Sequence, residues 1–146
     1  MKALPQLFAS TNLDVPSAAW LIFVLSKYEC FNDVIFECQL NTWSLNELEK
    51  QLLEERKVVI MVPLIRCIAN ICATSDECLL LYASSPDFPN VVKELLNSSY
   101  ESLQKETFLM VANIVNNPRP EVRMHPAVLS FKVGCERLME RVFTLF

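Results

Sequence analysis

Two asparagines sit inside apolar helical runs of this chain, about 43 residues apart. Asn70 lies in Pro63-Leu64-Ile65-Arg66-Cys67-Ile68-Ala69-Asn70-Ile71, and Asn113 in Glu106-Thr107-Phe108-Leu109-Met110-Val111-Ala112-Asn113-Ile114. A carboxamide offers a donor and an acceptor together, which suits it to holding an extended peptide main chain. One helical turn before each Asn, on the same face, stand Arg66 and Leu109. An earlier run, Ser17 to Leu25, puts Trp20 at the position of Arg66 and Val24 at that of Asn70. An indole face attracts cations. Aromatic faces and amides in a repeated register perform recognition, not bond-making.

Reaction chemistry has no comparable footing. The single histidine, His125, stands in a loop before Pro126, and no Ser or Cys can be paired with it as nucleophile. The carboxylates gather at helix starts and polar faces, where capping and the helix dipole place them. The six cysteines form no C-x-x-C pair, which with one histidine excludes a structural zinc site. Cys67 and Cys72 read as small core residues of an apolar helix. No catalytic residue, cofactor or metal is expected.

The elements that carry these residues read as helices throughout. Asp14 is placed to cap a helix over about 15–28, with Pro16 in its first turn; Trp20, Phe23, Val24 and Lys27 share one face. A short helix is expected near Asn32 to Cys38. Ser44 with Glu47, Thr74 with Glu77, and Ser98 with Glu101 each have the spacing of a capping box. They predict helices beginning at Ser44, at Thr74 and near Ser98. Long helices are expected over 57–73 and 99–116, with Pro63 bending the first or marking its true start. Asp87 caps a helix to about Leu96, and Asn117-Pro118-Arg119-Pro120 stops the long helix before it. A last helix covers about Ala127 to Phe146. Thr74 to Asn116 therefore reads as a short, a medium and a long helix in succession.

Composition agrees with a helical array. The chain has 146 residues, 52% of them hydrophobic, with eight prolines and a single glycine. So little glycine disfavours tight hairpins and phosphate-cradling loops. Net charge is −4 and spread along the chain, so the basic footprint of a nucleic-acid binder is missing. No charged-then-apolar leader is visible in residues 1–13, and unpaired cysteines fit the cytosol or nucleus. The run from Val58 to Ala73, broken by Arg66 and Asn70, falls short of the ~20 residues that span a bilayer.

A helical repeat of about 43 residues is the period of armadillo and HEAT solenoids. The runs around Asn70 and Asn113, and the Trp-bearing run at Ser17-Ala18-Ala19-Trp20, resemble the third helices of importin-α armadillo repeats over about residues 14–117. The resemblance implies an all-α fold: a short, right-handed armadillo-like solenoid of about three repeats spanning 1–146, the terminal ones incomplete. In that family the Trp and Asn of each third helix hold a basic localisation peptide in a concave groove. Carried over by position, Trp20, Asn70 and Asn113 match, while Val24, Arg66 and Leu109 depart. The implied function is a non-enzymatic adaptor or scaffold that binds another protein or peptide through Trp20, Arg66, Asn70, Leu109 and Asn113. The alternative is a nuclear import adaptor for basic signals, which the broken ladder reduces to weak binding. Each residue also has a plainer role. Trp20 could fill core, Asn70 and Asn113 could bond a neighbouring repeat's backbone, and Arg66 could pair with a carboxylate.

The last helix suggests a second surface. Leu138-Met139-Glu140-Arg141-Val142-Phe143-Thr144-Leu145-Phe146 carries apolar residues on more than one side. Repeat arrays need polar ends, and none is apparent here. Val142, Phe143 and Phe146 are therefore expected to meet a second copy or a different protein; the alternative is that the helix folds back on its own core.

Overall fold

The computed structural model describes residues 14–145, with side chains apart from those of 137–139 and 141–145. Every regular element among the described residues is helical. In order they are α1 (Val15–Ser26), a 3₁₀ turn (Glu29–Phe31), α2 (Asn32–Glu37), α3 (Leu40–Leu53), α4 (Val58–Thr74), α5 (Asp76–Ser84), α6 (Phe88–Leu96), α7 (Glu101–Val115), α8 (Pro120–Arg123) and α9 (Pro126–Leu145). The expected long helices are present with ends shifted by two residues or fewer, within the usual ambiguity of helix ends.

Helix α4 is the centre of the molecule. Ile60, Met61, Leu64, Ile65, Ile68, Ile71 and Cys72 are all buried, so it is apolar on most of its circumference. A helix of that kind must be surrounded. It packs most extensively against α7 on one side and α1 on another, with α3 behind it. Further along the chain, α6 packs on α7, and α9 packs on α5, α6 and α7.

Polar contacts between these units step along the sequence by a nearly fixed amount. Asn32 Nδ2 donates to the Thr74 carbonyl at 3.1 Å across 42 residues. The Tyr82 hydroxyl donates to the Asn41 carbonyl at 2.7 Å across 41. Asn117 Nδ2 donates to Asp76 Oδ1 at 2.9 Å, also across 41. Each joins segments that stand about one such interval apart in the chain.

Several expected starts are corrected. Asp14 does cap α1, its carboxylate accepting from Ser17 N at 2.8 Å. Ser44, however, is buried inside α3, where its hydroxyl donates back to the Leu40 carbonyl at 2.7 Å. The helix starts earlier because Leu40 and Asn41 are themselves buried, and tertiary packing outweighs the cap. Ser75, not Thr74, caps α5, accepting from Cys78 N at 3.2 Å. Thr74 is consumed as the last residue of α4. Ser98 accepts from Tyr100 N at 3.1 Å in the turn before α7, so it closes the loop without capping the helix. Pro63 lies inside α4, which starts at Val58, so it does not mark the start.

The scarcity of glycine did not remove left-handed turns. Gln39 (φ 56°) before α3 and Arg56 (φ 52°) before α4 occupy that region without glycine's freedom. Arg56 is held there by its Nε donating to the Leu52 carbonyl at 3.0 Å.

The first half of α9 closes the far end of this core. Phe131 stacks on Phe88 with ring centroids 5.4 Å apart, and Phe88 stacks on Tyr82 at 5.8 Å. Val128 and Cys135 are buried beside it. This half of the helix packs back on its own chain. The side chains of Val142 and Phe143, on which the other expectation rests, are not described, and Phe146 and the apolar stretch from Leu4 to Phe8 lie outside the described residues.

Candidate functional site

The neighbouring helices α1, α4 and α7 leave an open cleft of about 410 Å³ between them. Each contributes its own rung: Phe23 and Lys27 from α1, Arg66, Ala69 and Asn70 from α4, and Glu106, Leu109 and Asn113 from α7. The i, i+4 register on each helix sets this arrangement, since residues four apart share a face. Packing three such helices side by side turns three faces into one surface. Four of the residues singled out in the sequence, Arg66, Asn70, Leu109 and Asn113, thus line one cleft.

The two asparagines are equivalent in structure as in register. Asn70 Nδ2 donates to Ser26 Oγ on α1 at 3.1 Å, and Asn113 Nδ2 donates to the Ala69 carbonyl on α4 at 3.0 Å. Each bond spans 44 residues and ties one long helix to the preceding one. The plainer role, bonding a neighbour's backbone, is thus filled by Asn113, whereas Asn70 bonds a side-chain hydroxyl. Each bond uses one of the two Nδ2 hydrogens, and the Oδ1 atoms have no partner among the described residues. Both side chains are only part-buried. A donor and an acceptor on each rung remain for a ligand.

Arg66 has the carboxylate partner that its position called for. Its Nε lies 2.8 Å from Glu106 Oε1, bridging α4 and α7. Its guanidinium also lies over the Phe23 ring, 5.7 Å from the centroid, and the Lys27 ammonium lies over the same ring at 4.6 Å. Two cations thus lie against one aromatic ring, with one carboxylate bonded to one of them. Leu109 is 59% exposed and forms an apolar patch beside them.

Trp20 is 41% exposed, so it is not a core residue. It does not line the cleft directly. It stands one turn back on α1 and meets Phe23 edge-on at 5.6 Å. Val24 is 45% exposed. Sequence reasoning placed Phe23 and Lys27 on the right face but did not nominate them, and it missed Glu106. The signals were present: Phe23 follows Trp20 by one turn, and Glu106 precedes Leu109 by one turn.

Elsewhere the chemistry is structural. Burial pushes the Cys67 thiol up to about 12 and the Cys72 thiol well above its usual range. Ser44 Oγ lies 3.7 Å from Cys67 Sγ in the same dry interior. His125 Nδ1 accepts the Ala127 N–H at 3.1 Å beside the start of α9. No group of His, Cys, Asp and Glu among the described residues is placed to hold a metal ion. No helix among them is long and apolar enough to cross a membrane. Comparison with protein-family models, with curated proteins and with solved structures finds no match to this chain.

Proposed function

We propose that the chain is an armadillo-type interaction module of importin-α-like character, resembling the branch called transmembrane and coiled-coil domain-containing protein 6. It acts without catalysis, as an adaptor or scaffold in the cytoplasm or nucleus. Its ligand is another protein or a peptide, laid across α1, α4 and α7. One observation carries this reading: Arg66, Asn70, Leu109 and Asn113 converge on a single cleft, and each Asn keeps unspent hydrogen-bonding capacity there. The inter-unit bonds spanning 41 to 44 residues support the repeat architecture. Nucleic acid and membrane are not its partners in this reading. The C-terminal end of α9 remains a second candidate contact, to a like chain or another protein.

The test is titration of labelled extended peptides into the purified protein, with Asn70→Ala and Asn113→Ala as probes. A peptide-binding groove loses affinity with either change. Binding of any peptide that ignores both substitutions places the ligand elsewhere. A basic localisation peptide serves as the control for import-adaptor activity. Tight binding of it at physiological salt would favour the import reading over the scaffold.

A further inference from the structure

The cleft has a charge pattern, and it is opposite to what a basic peptide needs. Lys27 from α1 and Arg66 from α4 both lie over the Phe23 ring, at 4.6 and 5.7 Å from its centroid. The carboxylate lining the cleft is Glu106, bonded to Arg66 at 2.8 Å. The Arg66 and Glu106 charges offset each other, which leaves the Lys27 ammonium unbalanced. Among the described residues it has an aromatic contact and no carboxylate partner. Like charges gathered around one ring repel, and an incoming anion relieves that repulsion.

Resting on the peptide-groove reading, we infer that the ligand is an extended segment carrying a carboxylate side chain, followed by an aliphatic residue. The carboxylate sits in the cleft beside Phe23, against the Lys27 ammonium and near Arg66. The aliphatic residue lies on Leu109, the exposed apolar member of the α7 rung. The peptide main chain runs past the free amide groups of Asn70 and Asn113. Spacing sets the interval. Packed helices stand ~8–10 Å apart and an extended chain advances ~3.3–3.6 Å per residue, so neighbouring rungs meet residues about three positions apart. The recognised pattern is therefore Asp or Glu with Leu or Ile about three residues away.

The experiment uses three fluorescein-labelled peptides of Ala, Ser and Gly with one Leu. The residue three positions from the Leu is Glu, Gln or Lys. Anisotropy titrations against the full chain are run at low and at physiological salt. The Glu peptide is expected to bind roughly tenfold more tightly than the Gln peptide, with the gap closing as salt rises. Lys27→Glu, at an exposed position, is expected to invert the order so that the Lys peptide binds best, with helicity unchanged. Equal binding of the Glu and Gln peptides, or tighter binding of the Lys peptide to the unmodified chain, overturns the charge inference. If that binding still falls with Asn70→Ala or Asn113→Ala, the groove stands and only its anion preference is lost. If none of the three peptides binds, or none responds to either asparagine, both fail.

Discussion

Replacing Asn113 by Ala separates the structural from the functional use of that residue. The substitution removes the Nδ2 bond to the Ala69 carbonyl, 3.0 Å long and part-buried. A bond of that kind contributes about 0.5–1.5 kcal/mol net. The carbonyl is not orphaned, because Ala69 lies within α4 and keeps its helical partner four residues on. Ala is also the better helix former, by up to about 0.7 kcal/mol. The two effects offset, so the net loss is about 0–1 kcal/mol. Asn70→Ala is expected to behave alike. The Ser26 hydroxyl that it leaves still donates to the Phe23 carbonyl at 2.6 Å. Urea unfolding followed by circular dichroism should show an unchanged slope and a small midpoint shift. Thermal melts should move by less than about 4 °C. Peptide affinity should fall by more than stability does. A loss above about 2 kcal/mol with ligand binding intact would refute the reasoning, because the asparagines would then be rivets between helices and nothing more.

Phe131→Ala removes the ring stacked on Phe88 and should cost about 3–5 kcal/mol, freeing α9 from α5 and α6; a shift of under 1 kcal/mol in chemical denaturation would show that α9 docks by other contacts. Gly134, exposed on α9 with nothing within 4 Å of an added Cβ, should accept Ala with a gain of about 0.8–1 kcal/mol, read as a raised melting temperature. Thiol titration of the native protein should find Cys30, the exposed cysteine, reacting first, with Cys67 and Cys72 reacting only on unfolding. Because the folded state pushes the Cys67 thiol from 9.0 up to about 12, its stabilising effect is complete below pH 9 and is lost as pH rises toward 12. Denaturation midpoints measured across that window should fall, and a flat profile would contradict the burial of that thiol.

The helices were legible where an apolar period of three to four residues ran long enough, as in α4 and α7. The caps were not, and for α3 and α5 the reason is specific. Ser44, Thr74 and Ser98 each have a capping partner at the right spacing, yet Leu40, Asn41 and Thr74 itself already belong to helices. A cap stabilises a helix by about 1 kcal/mol, and burying one additional leucine contributes as much or more. Local signals therefore lose wherever the preceding turn also faces the core. The left-handed turns at Gln39 and Arg56 were hidden for a related reason, since neither residue type advertises a positive φ. The cleft was half legible. Register alone predicts which residues of one helix share a face, and it found Arg66 with Asn70 and Leu109 with Asn113. It cannot predict how far one helix slides along the next. Glu106 meets Arg66 across 40 residues, short of the 44 that join the Asn113 and Ala69 positions, because the Arg side chain reaches back along its neighbour. Contacts made by long side chains escape a repeat alignment that short amides obey.

That difference bears on how the groove and the stack depend on one another. Asn70 and Asn113 use one hydrogen each to fix the spacing of α1, α4 and α7, and they face the cleft with the rest of their amides. A ligand bonded to those amides therefore also braces the helix pairs that they join. Arg66 and Glu106 span the α4–α7 pair in the same way, through charge. With side chains 39% and 16% exposed, the bridge is partly buried, and displacing it would leave the Glu106 carboxylate unpaired, so the bridge stays in place and the exposed Lys27 is the charge that meets a ligand carboxylate. The groove residues thus divide by chemistry. In the proposed groove, amides hold the register and the main chain, charges choose the side chain, and Leu109 supplies the apolar contact. A mutation in the first group should weaken every ligand, whereas one in the second should change which ligand binds.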